Sequence, residues 1–276
     1  MGLYTDSVSV TPDETQAKRN KRRRRVLLGL VALPCLLWLY AWQIEPRWGV
    51  LSEFTVGEGP TAVRVLQITD VHTHGLGSME QWVFDTVAAR KPELIVVTGD
   101  MVNSGLTDAE REAAIEFLRR LKAPLGVYAV SGNHEEWEGE RGMTIFADAG
   151  VPLLDRKQVS LLDGRLTLTG MAQARETPLP PTDGFDVALC HYPASLPQVA
   201  KAGHELLLTG HSHGGQIQVP FYGAPYLPFD CDGHTEGWFE EAETRMFVCR
   251  GVGTSVVGLR FACRPELAEI TIRLPE

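Results

Sequence analysis

Val127-Tyr128-Ala129-Val130-Ser131-Gly132-Asn133-His134-Glu135 passes from four apolar residues directly into an amide, an imidazole and a carboxylate. The apolar part reads as a short buried strand, and Gly132 marks where the chain turns out of the sheet. Working outward, the same pattern recurs. Val63 to Ile68 ends at Asp70 and His72, and Leu94 to Val97 ends at Thr98-Gly99-Asp100, with Asn103 just beyond. Val187 to Leu189 ends at His191, and Leu206 to Leu208 ends at Gly210-His211, with His213 two residues on. Open α/β sheets build their sites at the carboxyl ends of their strands, so these side chains are expected to converge.

Helical segments separate the early strands. One starts at Ser78, with Trp82, Val83, Val87 and Ala88 on one face; a second is capped by Thr107 or Asp108; a shorter one covers Arg141 to Ala149. Asp163-Gly164 between Val159–Leu162 and Leu166–Thr169 predicts a hairpin, and Arg245–Cys249 and Ala268–Ile272 supply late strands. The chain is therefore α/β, with one catalytic domain over residues 62–276. Residues 220–243, rich in Pro, Gly, aromatics and acids, read as a lid-like loop.

Upstream the composition changes. Residues 1–25 carry seven Lys/Arg against three Asp/Glu, predicting a disordered basic cytoplasmic tail, whereas the remainder holds the acidic excess of a chain with net charge -9. An acidic domain argues against a nucleic-acid partner. Val26 to Ile44 is uncharged for nineteen residues, about the 20 needed to span a bilayer. The preceding Lys/Arg cluster would stay cytoplasmic, which places the catalytic domain on the extracytoplasmic side of the cytoplasmic membrane. No small-x-small cleavage site follows the span, so residues 26–44 are expected to be an uncleaved single-pass anchor, with 45–61 a juxtamembrane connector. Arg23-Arg24-Arg25-Val26-Leu27 also resembles a twin-arginine export signal. Cys190, Cys231, Cys249 and Cys263 lack any C-x-x-C spacing and read as buried thiols.

The donor set is two Asp, one Asn and four His, oxygen and nitrogen ligands suited to Mn, Fe or Zn, with Mg as a harder alternative. Seven donors exceed what one ion takes. Two ions about 3.5–4 Å apart need a bridge, for which Asp100 is the candidate. Such a pair generates a bridging hydroxide that attacks phosphorus, and a leaving alkoxide then needs a proton, for which His134 is the candidate acid. Glu135 is expected behind these groups, orienting a ligand or His134. His74 either faces substrate or caps its loop, while His204 and His234 read as solvated.

In order, Asp70-Val71-His72, Gly99-Asp100-Met101-Val102-Asn103, Gly132-Asn133-His134-Glu135, His191 and Gly210-His211-Ser212-His213 resemble the calcineurin-like metallophosphoesterase superfamily over residues 62–274. Ile44-Glu45-Pro46-Arg47-Trp48, Gly214-Gly215-Gln216-Ile217, Arg250 to Ser255 and Arg264-Pro265-Glu266 are similar to its membrane-anchored bacterial YkuE/YaeI-like phosphodiesterase branch. The resemblance implies a four-layer α/β/β/α sandwich of two mixed sheets after one transmembrane helix. It also implies a metal-dependent phosphoester hydrolase with two divalent ions. Asp70, His72 and His213 would hold the first ion with bridging Asp100, and Asn133, His191 and His211 the second. His134 would be the catalytic imidazole. His74 and Asn103 depart from the common Gly and Asp of relatives.

With the anchor, the lid aromatics Phe221, Tyr222, Tyr226, Phe229, Trp238 and Phe239 suggest lipid-linked phosphates, such as UDP-diacylglucosamine-like molecules, as substrates. The competing expectation is a tethered, non-catalytic metal- or phosphate-binding module of the same fold. No protein partner is expected.

Overall fold

The computed structural model describes residues 14–275, and the chain divides into two units between Tyr40 and Ala41. In the first, helix α1 (Glu14–Leu39) takes in Lys18 to Arg25, where the sequence predicted a disordered tail. No Gly or Pro interrupts Glu14 to Arg25, and Lys, Arg, Gln and Ala all favour helix. Residues 1–13 of that tail lie outside the described residues. Among those described, one helical stretch, Gln16–Arg47, is long and apolar enough to cross a membrane.

The second unit holds eleven strands in two mixed sheets. A π-turn (Tyr40–Ile44) and a 3-10 turn (Glu45–Arg47) lead to β1 (Val50–Gly57) and β2 (Thr61–Ile68). Then follow α2 (Ser78–Arg90), β3 (Leu94–Thr98), α3 (Asp108–Arg120) and β4 (Val127–Val130). The helices α4 (Asn133–Trp137), α5 (Glu140–Met143) and α6 (Ile145–Ala149) are short, and a break at Thr144 splits the single helix expected there. Next come β5 (Gln158–Leu161), β6 (Leu166–Gly170), β7 (Phe185–Leu189), α7 (Leu196–Ala202) and β8 (Leu206–Thr209). The last elements are β9 (Gly237–Glu241), β10 (Thr244–Val248) and β11 (Glu266–Leu274). The first sheet has the order β1-β11-β2-β3-β4 and the second β5-β6-β7-β8-β10-β9.

Alternation along the strands explains the layers. In β3, Leu94 and Val96 face the second sheet, while Ile95 and Val97 join Ile115 and Leu118 of α3 under the helices. In β8, Leu206 and Leu208 face the first sheet, while Leu207 packs with Leu196 and Val199 of α7. The result is helices, sheet, sheet, helix, the expected α/β/β/α sandwich. The β5–β6 hairpin also forms as expected, its loop bending through left-handed Leu162, Asp163 and Gly164.

Two boundaries differ from expectation. Val50–Gly57 is not a connector but β1, paired in parallel with β11 in the register Val50 to Glu266. Its partner is far away in sequence, so no local hairpin signal announces it. Gly237–Glu241 is not part of a lid but edge strand β9, whose Trp238 ring lies 5.3 Å from Phe54 and 5.0 Å from Phe247. Only residues 220–236 remain as loop.

Candidate metal centre

The loops after β2, β3, β4, β7 and β8 bring Asp70, His72, Asp100, Asn133, His191, His211 and His213 together, all buried. Ligand atoms converge in three overlapping groups: Asp70–His72–His213, His72–Asp100–His134 and Asp100–His191–His211. Asp100 links two of them. Its Oδ2 lies 3.3 Å from His191 Nε2, 3.5 Å from His72 Nε2 and 4.0 Å from His134 Nε2. On the other side, Asp70 Oδ1 is 3.4 Å from His213 Nε2, which is 3.1 Å from His72 Nε2.

The outer nitrogens fix which ring atoms face inward. His72 Nδ1 donates to Val102 O at 3.1 Å, His191 Nδ1 to Thr98 O at 2.8 Å, and His211 Nε2 to Phe229 O at 2.7 Å. In the neutral rings, lone pairs of His191 Nε2 and His211 Nδ1 then face each other at 3.0 Å, beside the Asp100 carboxylate. Facing acceptors of this kind need a proton or a metal ion between them. Asn133 Oδ1 and His213 Nδ1 are buried with no hydrogen-bond partner, and the amide oxygen is a ready further ligand. The donor set therefore fits divalent metal.

Protonation follows the same crowding. Burial drives the His72 imidazole down to about 4 and that of His211 to about 3, and holds His213 well below its usual value. Burial also opposes charge on His191, but the Asp100 and Asp70 carboxylates outweigh it and push this imidazole up to about 10. Burial likewise works against an ionised Asp100, yet the surrounding imidazoles hold it far below the normal carboxylate range.

Backbone geometry carries part of the arrangement. Asp70, His72, Asp100, His211 and His213 all have positive φ, between 45° and 68°. Each such residue stores strain on the order of 1–3 kcal/mol, tolerated where the surroundings over-determine it. At Gly132 an added Cβ would run into Asp100 Oδ1, and at Gly210 into Thr69 and Asp70, so both glycines are required by close approach to these side chains.

Glu135 is buried and stands behind the site as expected. Its carboxylate accepts from the backbone N–H groups of Asp100 at 2.9 Å, Met101 at 2.6 Å, Val102 at 3.2 Å and Gly132 at 2.8 Å, so it braces the Asp100 loop. Asn103 donates to His72 O at 2.9 Å and ties two ligand loops together. His74 is largely exposed, 2.6 Å from Glu110 Oε1 and outside the donor groups.

Two histidines depart from the sequence reading. His204 is fully buried, with Nε2 3.0 Å from Leu179 O and Nδ1 3.4 Å from Asp186 Oδ1, because the turn before β8 folds inward. His234 is half-buried, its ring 4.5 Å from that of Phe239. Neither joins the donors.

Three contributors were not anticipated. Ser104 Oγ lies 3.3 Å from His134 Nδ1, and the Trp137 ring is 4.8 Å from that of His134. Buried Arg260 donates to the carbonyls of Gly251, Gly253 and His213 around the Asp70 and His213 loops. Ser104, one residue beyond Asn103, could have been suspected from position; Arg260 carries no sequence signal.

The chain is also similar to known proteins over most of its length. Residues 63–215 match the calcineurin-like phosphoesterase family. The chain is 30% identical to the uncharacterized metallophosphoesterase YkuE of Bacillus subtilis, over 85% of this chain and 89% of that protein. It is 27% identical to the phosphodiesterase YaeI of Escherichia coli, over 84% and 92% of the two chains. The chain therefore belongs to the calcineurin-like phosphoesterase family and is a metal-dependent phosphoester hydrolase.

Proposed function

We propose that the chain hydrolyses phosphomonoesters or phosphodiesters at a two-metal site bridged by Asp100. Asp70, His72 and His213 complete one ion's protein ligands, and Asn133, His191 and His211 the other's. The observation that carries this is the convergence of buried ligand atoms in overlapping groups around Asp100, together with the unpartnered Asn133 Oδ1. Two divalent ions, with Mn, Fe or Zn favoured by these donors, would activate water as the nucleophile and neutralise phosphoryl charge.

The remaining chemistry belongs to the chain. His134 is held beside the donors by its backbone N–H, which donates to Asp100 Oδ1 at 2.9 Å. In the tautomer with its proton on Nε2, on the side of Asp100, His134 Nδ1 accepts from the Ser104 hydroxyl, and this is the form we assign to it. Burial lowers the His134 pKa, so the ring is neutral at pH 7, yet this tautomer still presents an N–H to a leaving oxygen. Glu135 and Asn103 keep the Asp100 and His72 loops in place.

We further propose that the N-terminal helix anchors the chain in the cytoplasmic membrane with the catalytic unit on the extracytoplasmic side. The basic residues Lys18 to Arg25 directly before the apolar run support that orientation. Lipid-linked phosphates, UDP-diacylglucosamine-like molecules among them, are the substrate class this location favours.

The test is metal content and turnover of an aryl phosphodiester by the Mn²⁺-loaded chain. Asp100→Asn is expected to lose both metal and activity, whereas His134→Ala keeps the metal and loses roughly 10²–10⁴-fold in rate. A His134→Ala chain that lost metal and regained full activity on its return would remove the general-acid role. Two bound ions with no turnover of any phosphoester would replace hydrolysis by a binding function.

A further inference from the structure

Between Gly214 and Phe229, and again between Gly251 and Leu259, the sequence contains no charged residue, in a chain whose net charge is -9. These two stretches form one surface. Gln216 accepts from Ser255 N at 2.8 Å and donates to Val257 O at 2.7 Å, and Gln218 N donates to Phe261 O at 2.8 Å. The side chains at their tips stand in solvent: Phe221 is fully exposed, Val256 is 99% exposed and Phe229 is 90% exposed. Phe221 and Val256 both have left-handed backbone, with φ of 67° and 63°. For a β-branched valine this is a true outlier, held at a position where folding gains nothing from its side chain.

The same surface holds the point where the apolar run enters this unit. Arg260 N donates to Ala41 O at 2.9 Å, and Cys263 N donates to the buried Glu45 carboxylate. Beside them Arg264 lies over the half-exposed Trp48 ring at 4.1 Å, the aromatic and basic pairing suited to a headgroup layer. On the other side the surface reaches the donors, since Phe229 O accepts from His211 Nε2. Charge-free loops, exposed apolar tips and contacts to Ala41, the residue at which this unit's chain begins after the apolar helix, favour a lipid surface over a protein groove.

We infer that the loops bearing Phe221 and Val256 form an apolar collar that seats in the bilayer beside the anchor and holds the mouth of the metal centre at the lipid headgroups. This rests on the membrane-anchored hydrolase proposed above and adds to it. The anchor attaches the catalytic unit at one point of its chain; the collar adds a second point of contact with the lipid. Phosphoesters displayed by lipids then arrive at Phe229 and His211 without leaving the bilayer.

The test uses the full chain in vesicles of phosphatidylethanolamine and phosphatidylglycerol, with nitroxide labels read against oxygen, which concentrates in lipid, and a water-soluble nickel chelate. Cys35 is the one exposed native cysteine among the described residues, so labelling it in the unaltered chain reports the anchor separately. In a Cys35→Ser background, labels at Phe221→Cys and Val256→Cys are expected to relax faster with oxygen than with nickel. A label at Asp163→Cys, on the exposed β5–β6 turn, is expected to do the reverse. Nickel access at 221 and 256 equal to that at 163, with Cys35 still in lipid, overturns the collar and leaves the anchor standing; nickel access at Cys35 overturns the anchor.

A second measurement reads the consequence. The Phe221→Ser/Val256→Ser chain should hydrolyse a soluble aryl phosphodiester at the unaltered rate and a vesicle-borne lipid phosphoester about tenfold more slowly. Equal losses on both substrates, or none on either, would refute the collar, while failure of the unaltered chain on the soluble diester would refute the hydrolase.

Discussion

Glu135 accepts hydrogen bonds from four main-chain N–H groups, three of them in the loop that carries Asp100. Replacing one carboxylate oxygen by an NH₂ group would set donor against donor at a fully buried position. Glu135→Gln is therefore expected to cost roughly 2–4 kcal/mol in unfolding free energy and to weaken metal binding, read by denaturant titration and metal titration of the same sample. Ser104→Ala acts differently, removing only the partner of His134 Nδ1. It should lower kcat about three- to tenfold with metal content unchanged, and Ser104→Thr should restore the rate, because a hydroxyl is again available. At this scale the donors were legible in the sequence, since Asp, Asn and His after apolar runs have few other reasons to recur. Ser104 and Arg260 were not, because a serine in a loop and an arginine near glycines are ordinary. The left-handed backbone at Asp70, His72 and Asp100 was likewise invisible, because no residue-type rule marks strain that the tertiary fold imposes.

Helix α3 shows what an element takes from its first turn. Thr107 accepts from Glu110 N, while the Glu110 carboxylate accepts in return from the Thr107 hydroxyl and N–H and also meets His74. These contacts, those from Thr107 first, hold the Glu110 pKa at about 2 against its usual 4.5. A depressed carboxylate stabilises the fold above its unfolded pKa and loses that contribution as pH falls from 4.5 through 2. Glu110→Gln should therefore lower Tm at pH 7, with the difference shrinking across that acid window. A cap at Thr107 or Asp108 was readable from local pattern, and the structure selects Thr107; the hairpin at Asp163-Gly164 and the buried runs of β3 and β8 were readable as well. Strands β1 and β9 were not, because their pairing is decided by distant partners, Glu266 onward for β1 and the Phe54–Phe247 cluster for Trp238.

Across the whole catalytic unit, the first residues of the chain after the anchor belong to the fold. Glu45 is fully buried against Cys263 N, and β1 contributes Val56 and Phe54 to the layer between the sheets. A chain starting at Ala41 is expected to remain folded and to bind metal, whereas one starting at Ala62 loses β1, exposes the edge of β11 and aggregates; size-exclusion profiles and metal content separate the outcomes. The placement of β11 also governs timing. It lies between β1 and β2, pairing with both, so these two early strands have no joint partner until residue 274 has left the ribosome. Strands β6, β7 and β8, each joined to the next through a short crossover, can pair well before that. A chain emerging in sequence can thus order His191 and His211 while the sheet that carries Asp70 still lacks its inner strand, so the two halves of the centre meet only once β11 is in place.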